Sequence, residues 1–376
     1  MVLTMLVGLG ERMAERFLPL YLLALGGGIF SVGILNFLQN LLSAFSSFPA
    51  GWFSDKFGTR NTLLFYALVA VGGYLLAAFA PHWSLVVLGS IFFLTWSAVS
   101  LPPAMSLVSK ALPPRQHTMG VAVHSLVRRV PMALGPLLCG ILIGAFGEKG
   151  GVRFAFFLGA ALCLAGAVAL WGLLAGVPKG HGKPIGNPLN LFRKMSLDLK
   201  NLLVSDILIR FCEQIPYAFV VIWCVKTIDH PVSTFEFGLL TAIEMTTAFL
   251  VYLPVARLAD KAGKGPFVLT TFVFFTVFPL GLYSSRSFGW LVAAFILRGL
   301  KEFGEPARKA LILELAPKDQ KAGMFGLYYL LRDSVVSLAA LGGAFLWAES
   351  PELNLMTATG FGFLGTLWFW FKGRRK

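Results

Sequence analysis

Two ten-residue stretches, GWFSDKFGTR from Gly51 and ARLADKAGKG from Ala256, follow one pattern: a small residue, three unrelated positions, Asp-Lys, one further position and glycine. Each is wedged between long apolar runs, and they stand about half a chain apart. Such spacing marks a duplicated chain whose halves share one architecture. Further echoes keep the register. Pro103-Ala104 and Pro114 are matched by Pro306-Ala307 and Pro317, with an eleven-residue step between prolines in both. Gly120 precedes Arg129 by nine residues, as Gly323 precedes Arg332, and RMAERFLP around Arg12 and Glu15 answers RFCEQIP around Arg210 and Glu213.

The 376 residues are 57% hydrophobic and 13% charged, with a mean hydropathy of +0.75. That is more apolar surface than a soluble core can hide, so the chain belongs in a bilayer. Runs long enough to span it predict an all-α membrane protein of twelve transmembrane helices, near 1–25, 29–52, 60–80, 83–110, 117–146, 152–175, 203–226, 234–258, 265–284, 287–314, 320–347 and 352–371. The domains follow as an N-terminal six-helix bundle over 1–175, a linker over 176–202 rich in Gly, Pro and basic residues, and a C-terminal bundle over 203–376. Within the linker, LNLFRKMSLDLK reads either as a short amphipathic helix on the cytoplasmic surface or as a solvated tether.

A net charge of +14 would suggest nucleic acid in a soluble protein, but here the 32 bases sort by membrane side. Seventeen fall in segments on the side of the N-terminus, and only Lys149, Arg153, Lys226 and Arg286 fall opposite. The excess places both termini and the linker in the cytoplasm, at the plasma (inner) membrane, and excludes nucleic acid as a partner. No cleavable signal peptide is read, because Glu11, Arg12, Glu15 and Arg16 interrupt the first apolar run. That run begins at Met1 without a tail, and an upstream start is left open. Cys139, Cys163, Cys212 and Cys224 sit in apolar segments as packing residues.

Ionised groups in hydrocarbon cost several kcal/mol each unless paired or facing a wet cavity. Glu11, Arg12, Glu15 and Arg16 share one face of the first helix, and in the seventh Arg210 and Glu213 are spaced for an ion pair along one helix. The fifth helix carries Arg128 and Arg129, the eleventh Arg332 beside Asp333. Arg298, Lys301, Glu302, Glu305, Arg308 and Lys309 trace a single stripe along a continuous tenth helix. The fourth helix has no such stripe, so the halves match in frame and differ in chemistry. Glu244 in the eighth helix has no base nearby in sequence.

The duplicated Asp-Lys-x-Gly loop resembles the one between helices 2 and 3, and again between helices 8 and 9, of the major facilitator superfamily. That resemblance implies a twelve-helix secondary transporter of two pseudo-symmetric bundles working by alternating access. It implies a central cavity lined by helices 1, 4, 7 and 10 with parts of 2, 5, 8 and 11. It also implies gating roles for Asp55, Lys56, Gly58, Arg60, Asp260, Lys261 and Gly263. Arg12, Arg16, Arg129, Arg210, Arg298 and Arg332 are then expected to bind a small anionic organic solute, with Glu15, Glu213 and Glu244 coupling a proton. Alternatively, these bases are neutralised by their neighbouring carboxylates, and the chain expels drugs or amphiphiles instead. A net positive cavity favours the first reading, complete pairing the second. ERMAERF resembles the first-helix motif of proton-coupled peptide transporters, though Glu11 is one residue too far away. GPLLCG from Gly135 resembles the fifth-helix motif of exporters, with Cys139 in place of a glycine. Direction stays open. The sequence has no Gly-x-x-x-x-Gly-Lys, HExxH or Gly-x-Ser-x-Gly, so neither an enzyme nor a cofactor is expected. His117 and His124 are too isolated for a metal site. The expected partners are a small-molecule substrate, a coupling proton and the lipid bilayer, with the chain as a monomer.

Overall fold

The structure, a computed structural model, describes residues 2–57, 59–94, 96, 117–173, 188–317 and 321–373. Contacts divide the chain into two compact units, Met1–Lys183 with Ser233–Ala242, and Pro184–Val232 with Ile243–Lys376. Unit one contains α1 (Val2–Glu15), α2 (Leu18–Ala24), α3 (Ile29–Phe57), α4 (Thr59–Phe79), α5 (Trp83–Leu94) and α6 (His117–Leu173). Unit two contains α7 (Pro188–Arg193), α8 (Leu197–Tyr217), α9 (Val220–Ile222) with a π-helical turn over Trp223–Thr227, and most of α10 (Thr234–Ala262). It continues through α11 (Lys264–Ser284), α12 (Phe288–Leu300), α13 (Glu305–Leu315), α14 (Lys321–Glu349) and α15 (Pro351–Trp368).

The outer faces of these helices are apolar. Phe79 and Phe371 are 72% and 70% exposed, a surface that is stable against lipid and a liability in water. Among the described residues, five helices are long and apolar enough to cross a membrane, and α6 does so twice because it turns back at Gly147 (φ 74°, ψ 170°). Such a left-handed φ costs glycine little.

Three expected helices are broken, and this corrects the continuous spans read from sequence. The first stops at Glu15 and resumes at Leu18, where Pro19 has no N–H for the Glu15 carbonyl. In the seventh, Pro216 leaves the Cys212 carbonyl without its N–H, and α8 bends by 43° into the following helix. The tenth is interrupted at Lys301–Gly304, where the Gly304 N–H is captured by Thr271 Oγ1 of α11.

Close helix approach relies on small residues. A Cβ on Gly10 would lie 2.8 Å from Gly159 Cα, which joins α1 to the second half of α6. One on Gly299 would lie 2.5 Å from the Glu244 carbonyl oxygen, which joins α12 to α10. The four cysteines are free and buried.

The linker also departs from expectation. The solvated-tether reading fails for its second part, since Leu191, Met195 and Leu199 are buried in the core of unit two. The helical stretch is two pieces separated at Lys194–Ser196, with Ser196 capping α8 through the Leu199 N–H.

Candidate functional site

The repeated Arg and Glu residues occupy equivalent places in the two units. In α1, Arg12 binds Glu15 one turn on, and Gln39 Nε2 donates to the other Glu15 oxygen at 3.2 Å. In α8, Arg210 binds Glu213 in the same way. Both arginine side chains keep 19% exposure. Each pair sits just before its helix break, so its carboxylate lies where the backbone ladder is interrupted.

In unit two this pair is the middle of a longer series. Ten side chains alternate in sign without interruption: Arg298, Glu244, Lys301, Glu213, Arg210, Glu305, Arg308, Asp206, Arg332 and Asp333. Arg298 Nε is 3.3 Å from Glu244, and Lys301 Nζ bridges Glu213 at 2.6 Å and Glu244 at 3.7 Å. Arg210 reaches Glu305 at 3.8 Å, and Lys309 joins Glu305 from the side at 3.2 Å. Asp206 is fully buried and accepts from Arg308, from Arg332 at 3.4 Å and from the Tyr328 hydroxyl at 3.1 Å.

The break in the tenth span divides this series. Arg298 and Lys301, on or next to α12, engage Glu244 and Glu213, whereas on α13 Glu305 engages Arg210 and Arg308 engages Asp206. A rigid continuous stripe is thereby replaced by two charged segments joined at Gly304. Arg298 is further enclosed by the rings of Tyr217, Phe278 and Phe295, with centroids 5.1 to 5.8 Å from the guanidinium carbon. Arg332 lies 4.2 Å over the Tyr329 ring. With side-chain exposures of 2% for Arg298 and 7% for Arg332, both are committed to the protein interior.

The described charges leave different residues in the two units. The series in unit two, with Lys309, sets six bases against five carboxylates. In unit one, Arg12 also lies 3.6 Å from Glu11; Arg128 is within electrostatic reach of Arg12 and Glu11, and Arg16 of Glu15.

Sequence reasoning missed Asp206 and did not single out Lys301 from its stripe. The signal for Asp206 was its place one helical turn before Arg210. For Glu244 the missing bases are Arg298 and Lys301, more than fifty positions on. Of the expected gating residues, Gly58 and the side chains of Asp55, Lys56, Asp260 and Lys261 lie outside the described residues, as do Pro103, Pro114 and the His117 and His124 side chains. Arg60 hydrogen-bonds the Trp171 carbonyl at 2.9 Å and stacks on that indole at 4.8 Å. Gly263 takes φ 86° ahead of α11.

The family model described as the Major Facilitator Superfamily matches residues 1–228 and 202–376. The chain belongs to this superfamily. It is therefore an integral membrane transporter, with a twelve-helix superfamily fold, and not an enzyme. An uncharacterized MFS-type transporter of Methanocaldococcus jannaschii is 21% identical over 366 residues, covering 93% of this chain and 87% of that one. A lincomycin resistance protein of Streptomyces lincolnensis is 39% identical over 98 residues, 26% of this chain and 20% of the other. Among solved structures, the nucleoside transporter NupG superposes with a TM-score of 0.83 at 12% identity, covering 99% of this chain and 98% of that one. A POT family transporter in complex with 5-aminolevulinic acid superposes with a TM-score of 0.79 at 15% identity, over 98% and 95% of the two chains. At such identities these structures establish the fold alone.

Proposed function

We propose that this superfamily member is a proton-coupled secondary carrier for a small organic anion, with Arg12 and Arg210 as its principal substrate contacts. The carrying observation is the repeated pair: each arginine binds a glutamate one turn on, and each keeps 19% exposure while Arg298 and Arg332 are enclosed. Protonation of Glu15 or Glu213 removes the nearer of the arginine's two carboxylate partners, leaving Glu11 at 3.6 Å from Arg12 and Glu305 at 3.8 Å from Arg210, and frees planar donors for a carboxylate or phosphate. Loss of the proton returns the arginine to its glutamate and releases the anion. Arg16 and Arg129 are further anion contacts in this reading, and Glu244 tunes Lys301 from the far side of Glu213.

In this proposal, residues 1–175 and 203–376 are the moving bundles, joined by 176–202. Asp55, Lys56, Gly58, Arg60, Asp260, Lys261 and Gly263 gate the cytoplasmic side of a monomer in the inner membrane, with both termini cytoplasmic. The near-balance of charge in unit two and the segment similar to a resistance protein favour a second reading, efflux of amphiphiles.

Ligand-dependent thermal stabilisation of the detergent-purified chain separates them. The anion reading expects organic carboxylates or phosphates to raise the melting temperature of the parent and not of Arg12→Gln or Arg210→Gln. Stabilisation by lipophilic cations alone, equal in both variants, would establish the efflux reading.

A further inference from the structure

The segment between the halves has two faces of opposite character. Leu191, Met195 and Leu199 are buried four residues apart, and Leu191 reaches within 3.3 Å of where a Cβ on Gly323 would be. Ser196 Oγ donates to the Leu315 carbonyl at 3.3 Å. This side is thereby fastened to α13 and α14, which fixes where the other side points. On that side Phe192 and Leu197 are 42% and 72% exposed. Arg193 and Lys194 are exposed beside them, and the Lys200 ammonium lies 5.3 Å over the Phe192 ring. Asp198 is the one carboxylate in this stretch.

Large apolar groups held outward next to cations, at the start of a membrane-spanning helix, match the boundary between acyl chains and headgroups. Phe192 and Leu197 suit the hydrocarbon edge, while Arg193, Lys194 and Lys200 suit phosphate. The unlike charge singles out an anionic headgroup over a zwitterionic one. We propose that Phe192, Arg193, Lys194, Leu197 and Lys200 form a binding surface for an anionic phospholipid of the cytoplasmic leaflet. The same segment is anchored to α13, which carries Glu305 and Arg308. The site does not depend on what the transporter carries.

The test is thermal unfolding of the detergent-purified full chain titrated with phosphatidylglycerol, phosphatidylcholine or inorganic phosphate, with bound lipids counted by native mass spectrometry. Phosphatidylglycerol is expected to bind and stabilise, phosphatidylcholine and phosphate to do neither. Each cation near an anionic surface contributes about a fivefold factor in affinity, so Arg193→Gln/Lys194→Gln should weaken the phosphatidylglycerol response about 25-fold. High salt should weaken the parent's response as well. Phe192→Ser/Leu197→Ser, which keeps the cations, should reduce binding without abolishing its preference for the anionic lipid. Equal responses to both lipids, or an unchanged response in the cation variant, would overturn the proposal. Stabilisation by phosphate alone would overturn it too and leave a soluble-anion site. If the double cation variant does not fold, Lys200→Gln alone is expected to give about a fivefold loss, and no loss would count against it.

Discussion

Asp206→Asn is the substitution with the largest expected effect on stability. The side chain is fully buried and accepts from Arg308, Arg332 and Tyr328. Asparagine keeps the shape and one acceptor for the Tyr328 hydroxyl but removes the charge. Removing one partner of a buried pair costs about 3–5 kcal/mol. Here the low end applies, since Arg308 retains Glu305 and Arg332 retains Asp333. A loss of about 3 kcal/mol changes the folded-to-unfolded ratio by about a hundredfold. Tryptophan fluorescence during unfolding in mixed micelles reads this directly. Adding Arg308→Met removes the base that has lost its Asp206 partner, while Glu305 keeps Arg210 and Lys309, so the double variant should be no less stable than Asp206→Asn. A loss under about 0.5 kcal/mol for the single variant, or simple additivity in the double, would refute the claim that Asp206 holds the series together.

Four further substitutions probe other parts of the account. Gly299→Val places a side chain where Glu244 O and Thr247 Cβ stand 2.5 and 2.6 Å from the first added carbon, so unfolding free energy should fall by about 1–3 kcal/mol. Gly281→Ala, whose nearest neighbour would be 3.6 Å away, should stay within about 0.5 kcal/mol of the parent; similar losses in both would remove the close-approach argument. Glu213→Gln should retain exchange of substrate across proteoliposomes and lose accumulation driven by a pH gradient, and intact accumulation would place proton coupling elsewhere. Pro216→Ala restores an N–H opposite the Cys212 carbonyl, so the 43° bend should shrink and turnover slow without loss of stability; unchanged turnover would make the bend passive.

What the sequence disclosed follows from how local each feature is. The duplication, and the Arg12 with Glu15 and Arg210 with Glu213 pairs, were legible because three residues along a helix bring two side chains onto one face. Asp206 was not, because its partners Arg308 and Arg332 are 102 and 126 residues away, and near the expected start of a helix it looks like an ordinary first-turn acid. Pro19 and Pro216 stand in the sequence beside two of the breaks, though those spans were read as continuous, whereas the interruption before Glu305 depends on Thr271 capturing the Gly304 N–H, a contact with another helix that no local pattern encodes. The docking of the linker was half legible: Leu191, Met195 and Leu199 repeat every four residues, but the surface that covers them is not adjacent in sequence.

Transport in proteoliposomes tests the central claim most directly, using an organic anion found to stabilise the protein, with and without an imposed pH gradient, in the parent and in Arg12→Gln. The account predicts accumulation of the anion only with the gradient and only in the parent, with Arg12→Gln correctly folded and inactive. Movement of lipophilic cations with no movement of anions, unaffected by Arg12→Gln, would contradict it.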